Sequence, residues 1–194
     1  MKTQNISIVA VIIVVLIIVC GTIIYNRPNK IVERTDIINN KVAENATSTV
    51  STMIKQANEM AQSLINKDYE KFSEFAYPKI VSALGGKDKY IQIMENSNSN
   101  GSTLSKVTFG KPVKIVDTGT ELQTVLPQTL EIKIPAGLLV SEGALIAISP
   151  DKGETWYFID TGGNNLDRIR TQLPNISTDI IIPILKEPVL LKNQ

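Results

Sequence analysis

The sequence predicts an α+β protein in which N-terminal helices pack on an antiparallel sheet, all of it preceded by one transmembrane helix. Three observations lead there. Residues Ile6 to Ile24 form an uncharged apolar run. From Val50 to Glu95 apolar residues recur at the three-and-four spacing of helices. From Leu104 onward the period drops to two, with turn residues between the runs.

The apolar run comes first. Its nineteen residues contain Ser7 and Thr22 as hydroxyl-bearing breaks and no polar stripe of the kind a soluble helix shows. As a helix it extends about 28 Å, close to the thickness of a bilayer's hydrocarbon core. Such a helix satisfies its own backbone hydrogen bonds where no water can do so. Two forms of attachment stay open. One is an uncleaved anchor over Ile6–Tyr25, ended by Asn26-Arg27-Pro28. The other is a bacterial lipoprotein signal, with Lys2 as its charged start and Cys20 as the lipidated residue. Bulky Val19 before the cysteine, and apolar residues continuing to Ile24, favour the plain anchor, in which Cys20 is a small apolar residue. Arg27, Lys30 and Arg34 come after the run, and the positive-inside tendency would hold the remainder in the cytoplasm. Signal-like anchors with one early lysine usually export the chain beyond them. The domain is therefore expected outside the cytoplasm, in a bacterial periplasm or at the cell exterior. The chain divides into an anchor or signal (1–25), a polar spacer (26–49) and an α+β domain with an extended C-terminal tail (50–194).

Composition narrows the chemistry. The 20 basic and 19 acidic residues give a formal charge of +1 with no basic block, which argues against nucleic-acid binding. The chain has no histidine. That removes the commonest general base, the commonest zinc ligand and the Ser-His and Cys-His nucleophile systems together. No metal site and no cofactor is expected.

Within the domain, the clearest helix carries Val50, Met53, Ile54, Ala57, Met60, Ala61 and Leu64 on one face, with Lys55, Gln56, Glu59 and Gln62 opposite. Weak helix formers at Ala46-Thr47-Ser48-Thr49 place its start there, with Ser51 or Thr52 as cap. Asp68 is a suitable cap for a short helix over Tyr69–Ala76. Ile80–Val81 reads as a strand or one helical turn, and Lys87–Glu95 as a helix with Tyr90, Ile91 and Met94 inward. Strands are expected at Leu104–Phe109, Val113–Val116, Leu122–Ile134, Leu138–Ser149 and Thr155–Asp160. Ala144–Ile148 is apolar on both faces and belongs at the sheet's centre. Pro127 and Pro135 suggest edges or bulges. A helix near Leu166–Leu173 precedes a tail, Ile180–Leu191, whose isoleucines must lie against the body.

Two motifs stand out. Ser149-Pro150-Asp151-Lys152-Gly153-Glu154-Thr155-Trp156 matches the Asp-box pattern. The aspartate can accept backbone N–H groups, the glycine permits a positive φ, and the tryptophan packs under the hairpin. Sialidases carry this box repeatedly on propeller blades of about 40–50 residues each. Here one copy, in a short chain, reads as a structural turn built on Ser149, Asp151, Gly153 and Trp156.

The second is a stretch: Lys67-Asp68-Tyr69-Glu70-Lys71-Phe72, then Phe75-Ala76-Tyr77-Pro78-Lys79-Ile80-Val81, then Gly85-Gly86-Lys87-Asp88-Lys89-Tyr90-Ile91. With the helices-then-strands order, it resembles the nuclear transport factor two-like superfamily, which includes ketosteroid isomerase. The resemblance implies a cone-shaped fold: a curved sheet wrapped against helices around a cavity, over Val50–Leu173. Members often carry histidine before the proline; this chain has Tyr77. No position matches a catalytic motif of the superfamily, so no catalytic residue carries over.

Tyr90, Trp156, Phe158 and Asp160 are the candidate ligand-binding residues of such a cavity, the last three alternating along one strand face. An Asp–Tyr pair in an apolar pocket could move a proton. The stronger reading is structural: Asp160-Thr161-Gly162-Gly163 lies where a strand ends, so Asp160 bonds turn amides and Trp156 belongs to the hairpin. The functional expectation is a membrane-tethered, non-catalytic binding or interaction domain, its partner another protein, a second copy of the chain or a small apolar ligand. The alternatives are an isomerase- or hydratase-like enzyme using Asp160 with a tyrosine, and a self-associating structural module.

Overall fold

The structure, a computed structural model, describes residues 40–97, 102–162 and 166–192, with side chains from Thr47 onward. The expected anchor, Cys20, and most of the spacer lie outside the described residues. No helix among the described residues is long and apolar enough to cross a membrane.

Four helices come first: α1 (Asn40–Ile65), α2 (Tyr69–Ser73), α3 (Pro78–Ala83) and α4 (Lys87–Ser97). The expected start of α1 needs correction. The helix begins at Asn40 and runs straight through Ala46–Thr49, so Ser51 and Thr52 are interior and cap nothing. Weak local propensity is outweighed by tertiary contact, because Thr49 packs against the backbone at Gly153. The inward face is as expected: Met53 and Ala57 are fully buried, with Met60 and Ala61 nearly so. Lys67 ends α1 with a left-handed φ of 58°, and the N–H of Asp68 closes back on the Ser63 carbonyl at 2.8 Å. Asp68 then caps α2 by accepting from the N–H of Lys71 at 3.0 Å. Pro78 opens α3, where its missing N–H costs nothing.

The sheet is antiparallel and open. Its centre is a pair of thirteen-residue strands, β3 (Leu122–Ile134) and β4 (Gly137–Ser149), in register along their whole length. β1 (Thr103–Phe109) and β2 (Val116–Asp117) pair with β3 on one side. β5 (Tyr157–Asp160) and β6 (Val189–Leu191) pair with β4 on the other. Pro135 sits in the tight β3–β4 connection, and Gly137 comes two residues later with a φ of 141°. A Cβ on Gly137 would collide with the Leu191 carbonyl, so this glycine lets the tail cross there.

Pro127 lies within a central strand rather than at an edge. Its carbonyl accepts from the N–H of Gly110 at 2.8 Å, so its own nitrogen faces the same side, where β1 has just ended. The missing donor falls in a gap of the ladder. The strand expected at Val113–Val116 shrinks to Val116–Asp117, although the N–H of Val113 still reaches the Val125 carbonyl at 3.0 Å. The second helix also stops early. Phe75 and Ala76 leave it to run beside β5, where the Phe75 carbonyl accepts from the N–H of Phe158 at 2.8 Å. This segment covers the exposed edge of β5.

Each face of the sheet is buried against different elements. Leu126, Leu145, Ala147 and Phe158 pack on α1 together with Trp156. Val125, Ala144, Ile146 and Ile159 pack on the other face, against Ile169 and Leu173 from α5 (Leu166–Gln172) and its C-terminal continuation, and Ile176 and Ile180 of the tail. Ala144–Ile148 is at most 3% exposed, as its two-faced apolar character requires. The tail is pinned by polar bonds as well: Gln123 accepts from the N–H of Ser177 and donates to the Asn175 carbonyl, and Arg170 donates to the Ser177 carbonyl at 2.6 Å. Ile181 and Ile184 nevertheless remain exposed.

Candidate functional site

Between the four helices and the sheet lies a cavity of about 100 Å³. Its wall is apolar over most of its extent, with Met60, Ala61 and Leu64 from α1 and Met94 from α4 among its members. Among the described residues, Asp160, Gln128, Tyr90 and Tyr77 bring polar groups to the same lining, the Tyr77 hydroxyl donating to Glu121 at 2.9 Å.

Asp160 ends β5. One of its oxygens, Oδ1, accepts from the N–H of Gly162 at 2.7 Å, a local turn in which Gly162 adopts a φ of 57°. The other, Oδ2, accepts from Nε2 of Gln128 at 3.1 Å. The turn bond expected of Asp160 is present on one oxygen, while the other meets Gln128, a residue that also lines the cavity. Burial pushes the Asp160 carboxyl up to about 6, and the Gly162 and Gln128 donors hold it back from rising further. Many protein atoms surround the residue, yet its side chain keeps accessible surface. Water reaching the carboxyl softens the effect of burial without reversing it.

Tyr90 is buried, and its ring stacks on Phe72 with centroids 6.3 Å apart and planes 12° apart. Burial first, and the negative charge of Asp160 second, push its hydroxyl well above the ordinary tyrosine range. It stays protonated at any physiological pH.

Of the four expected ligand-binding residues, Tyr90, Phe158 and Asp160 meet at the cavity and Trp156 does not. Trp156 is fully buried against Met53 and Ala57, one step along the strand towards the hairpin. Its Nε1 donates to the Gly153 carbonyl at 3.1 Å. The Asp-box turn is otherwise built as its residue types require. Asp151 Oδ1 accepts from the N–H of Thr155 and from the Ser149 hydroxyl, both at 2.8 Å. The Ser149 hydroxyl in turn accepts from the N–H of Gly153, whose φ is 106°.

Two glutamines lie outside the expected set. By its spacing Gln56 belongs to the outward face of α1, yet it bridges helix and hairpin: Nε2 donates to the Glu154 carbonyl and Oε1 accepts from the N–H of Trp156, each at 2.7 Å. Nothing local marks it. Gln128 does leave a signal. It falls on the inward phase of β3, between Leu126 and Leu130, where a polar residue must find a buried partner. Among the described residues, no cluster of three or more potential metal ligands occurs.

No protein-family model, curated protein or solved structure matches the chain.

Proposed function

We propose that this chain is a membrane-tethered binding module whose cavity holds a small, mainly apolar molecule. The observation that carries this reading is the cavity itself: apolar walls from two layers, with Asp160, Gln128 and Tyr90 gathered at the same space. The uncharged run Ile6–Ile24 supports the tether. Four helices preceding an antiparallel sheet and enclosing a cavity with it support kinship with the nuclear transport factor two-like cone. The volume sets the scale. At about 100 Å³ the space lies below the roughly 300–1,000 Å³ usual for drug-sized ligands, so the occupant is a ring or short chain.

Methionine methyl groups give a direct test. The chain has four methionines, of which Met60 and Met94 line the cavity and Met53 is buried beside it in the Trp156 cluster. In full-length protein held in a neutral maltoside micelle, benzyl alcohol should shift the methyl signals of Met60 and Met94 and leave Met53 unmoved. Ala61→Phe, which fills the space, should abolish the response. Unmoved Met60 and Met94 signals at saturating alcohol would reject the reading.

A second reading has one specific observation in its favour. Asp160 and Tyr90 share an apolar cavity, and a carboxyl held near 6 suits proton abstraction beside a carbonyl. Turnover of small carbonyl compounds that disappears in Asp160→Asn would support an isomerase or hydratase; an inactive parent protein ends it.

A further inference from the structure

We propose that the molecule held in this cavity is a small organic cation, an alkyl- or arylalkylamine whose ammonium group sits against Asp160. The inference rests on the cavity reading above and names its ligand class.

The electrostatics are one-sided. Asp160 brings a negative charge to the cavity, and no lysine or arginine is among the described residues that line it. Asp160 keeps accessible surface, yet beside apolar walls its charge is screened less than in open water and has no cationic partner among the residues described at the cavity. Among the described residues, each Asp160 oxygen accepts one hydrogen bond, and a carboxylate oxygen has room for a further donor. Gln128 spends Nε2 on Asp160, so its Oε1 remains as a second acceptor beside the carboxylate. An ammonium group offers three donors to such a pair and removes the charge imbalance.

The walls suit the same ligand. Phe72, Tyr90 and Phe158 present aromatic rings around the space, and ring faces attract cations. Met60 and Met94 add polarizable surface for an apolar body. Anionic ligands such as carboxylates or phosphates would meet Asp160 with like charge. Large polycyclic ligands exceed the volume.

The decisive comparison uses two molecules of one shape. Benzylamine and benzyl alcohol are titrated at pH 7.5 into the full-length protein, read at the Met60 and Met94 methyl groups. Benzylamine should bind about tenfold tighter or more, and Asp160→Asn should erase that preference while still binding the alcohol. Equal affinity for the two probes, or a preference that survives Asp160→Asn, would overturn the amine assignment and leave the apolar cavity standing. Binding of neither probe would remove both. Should the variant fail to fold, the wild-type protein supplies the same comparison by pH. Among the described residues, the other titratable groups lining the cavity are Tyr90 and Tyr77, the latter donating to the Glu121 carboxylate behind it, and both tyrosines stay neutral below pH 9. Among the described groups lining the cavity, lowering the pH from 7.5 to 5 therefore protonates Asp160, the probe staying cationic, and should weaken benzylamine but not benzyl alcohol. An unchanged ratio between the two would count against the assignment.

Discussion

Asp151 and Asp160 sit nine residues apart at opposite ends of one short segment, and each bonds a turn of its own. Their ionisation nevertheless moves in opposite directions. Burial would push Asp151 up, but the N–H of Thr155, the hydroxyls of Thr155 and Ser149 and its own N–H outweigh this and hold the carboxyl below its usual range. At Asp160 burial wins over two donors and the carboxyl rises to about 6. The surroundings differ to match. Around Asp151 the hairpin closes on α1 through Gln56 and the fully buried Trp156. Around Asp160 the same helix and sheet part to leave a cavity. A turn aspartate is thus a staple where donors converge on it, and a candidate binding group where they are few and the space beyond is open.

Four substitutions sharpen this contrast, the largest effect first. Trp156→Ala should cost about 3–5 kcal/mol in urea unfolding, since it removes a fully buried indole from its cluster on α1. A loss under about 1 kcal/mol would mean the hairpin does not hold the helix. Gly153→Ala should cost about 1–3 kcal/mol, because the residue has a φ of 106° and a new Cβ would lie 2.7 Å from Cγ2 of Thr49. In a Thr49→Ala background part of that cost should vanish and the backbone strain remain; strictly additive losses would show that the contact is not felt.

The two aspartates should answer pH with opposite sign. Asp160 has a higher pKa folded than unfolded, so it takes up a proton on folding between about pH 4 and 6, and the wild-type protein loses stability as pH rises through that window. Asp160→Asn should therefore be more stable at pH 7, by about 1 kcal/mol once water in the cavity is allowed for, with the gap closing towards pH 4. Asp151 has a lower pKa folded, so its contribution is present above about pH 4 and is lost as pH falls through the depressed value. Asp151→Asn should be less stable at pH 7, by about 0.5–1 kcal/mol given the exposure of the group, with the difference fading in acid. Equilibrium unfolding of both variants from pH 4 to 8 checks the pair. Curves that moved in the same direction would break the comparison.

Much of the architecture is legible along the chain. The limits of β3 match the expected strand, β4 differs by one residue, and α4 runs two residues past its expected end. The cap at Asp68 and the Asp-box turn are legible for the same reason: each signal acts on neighbours a few residues away. What escapes depends on distant partners. The passage of α1 through Thr49 goes with a contact to Gly153, and Gln56 meets Trp156 across 100 positions of sequence. Gln128 and Asp160 are 32 positions apart, on strands that both pair with β4.

The sequence by itself determined the periods, the caps, the turns and the apolar N-terminal run, because those arise from forces acting over one or two turns of chain. Only the tertiary structure decided that Phe158, Asp160 and Tyr90 would share a cavity while Trp156 was sealed away. Whether two layers close or part at a given place depends on the summed volumes of side chains from remote segments, and no local pattern carries that sum.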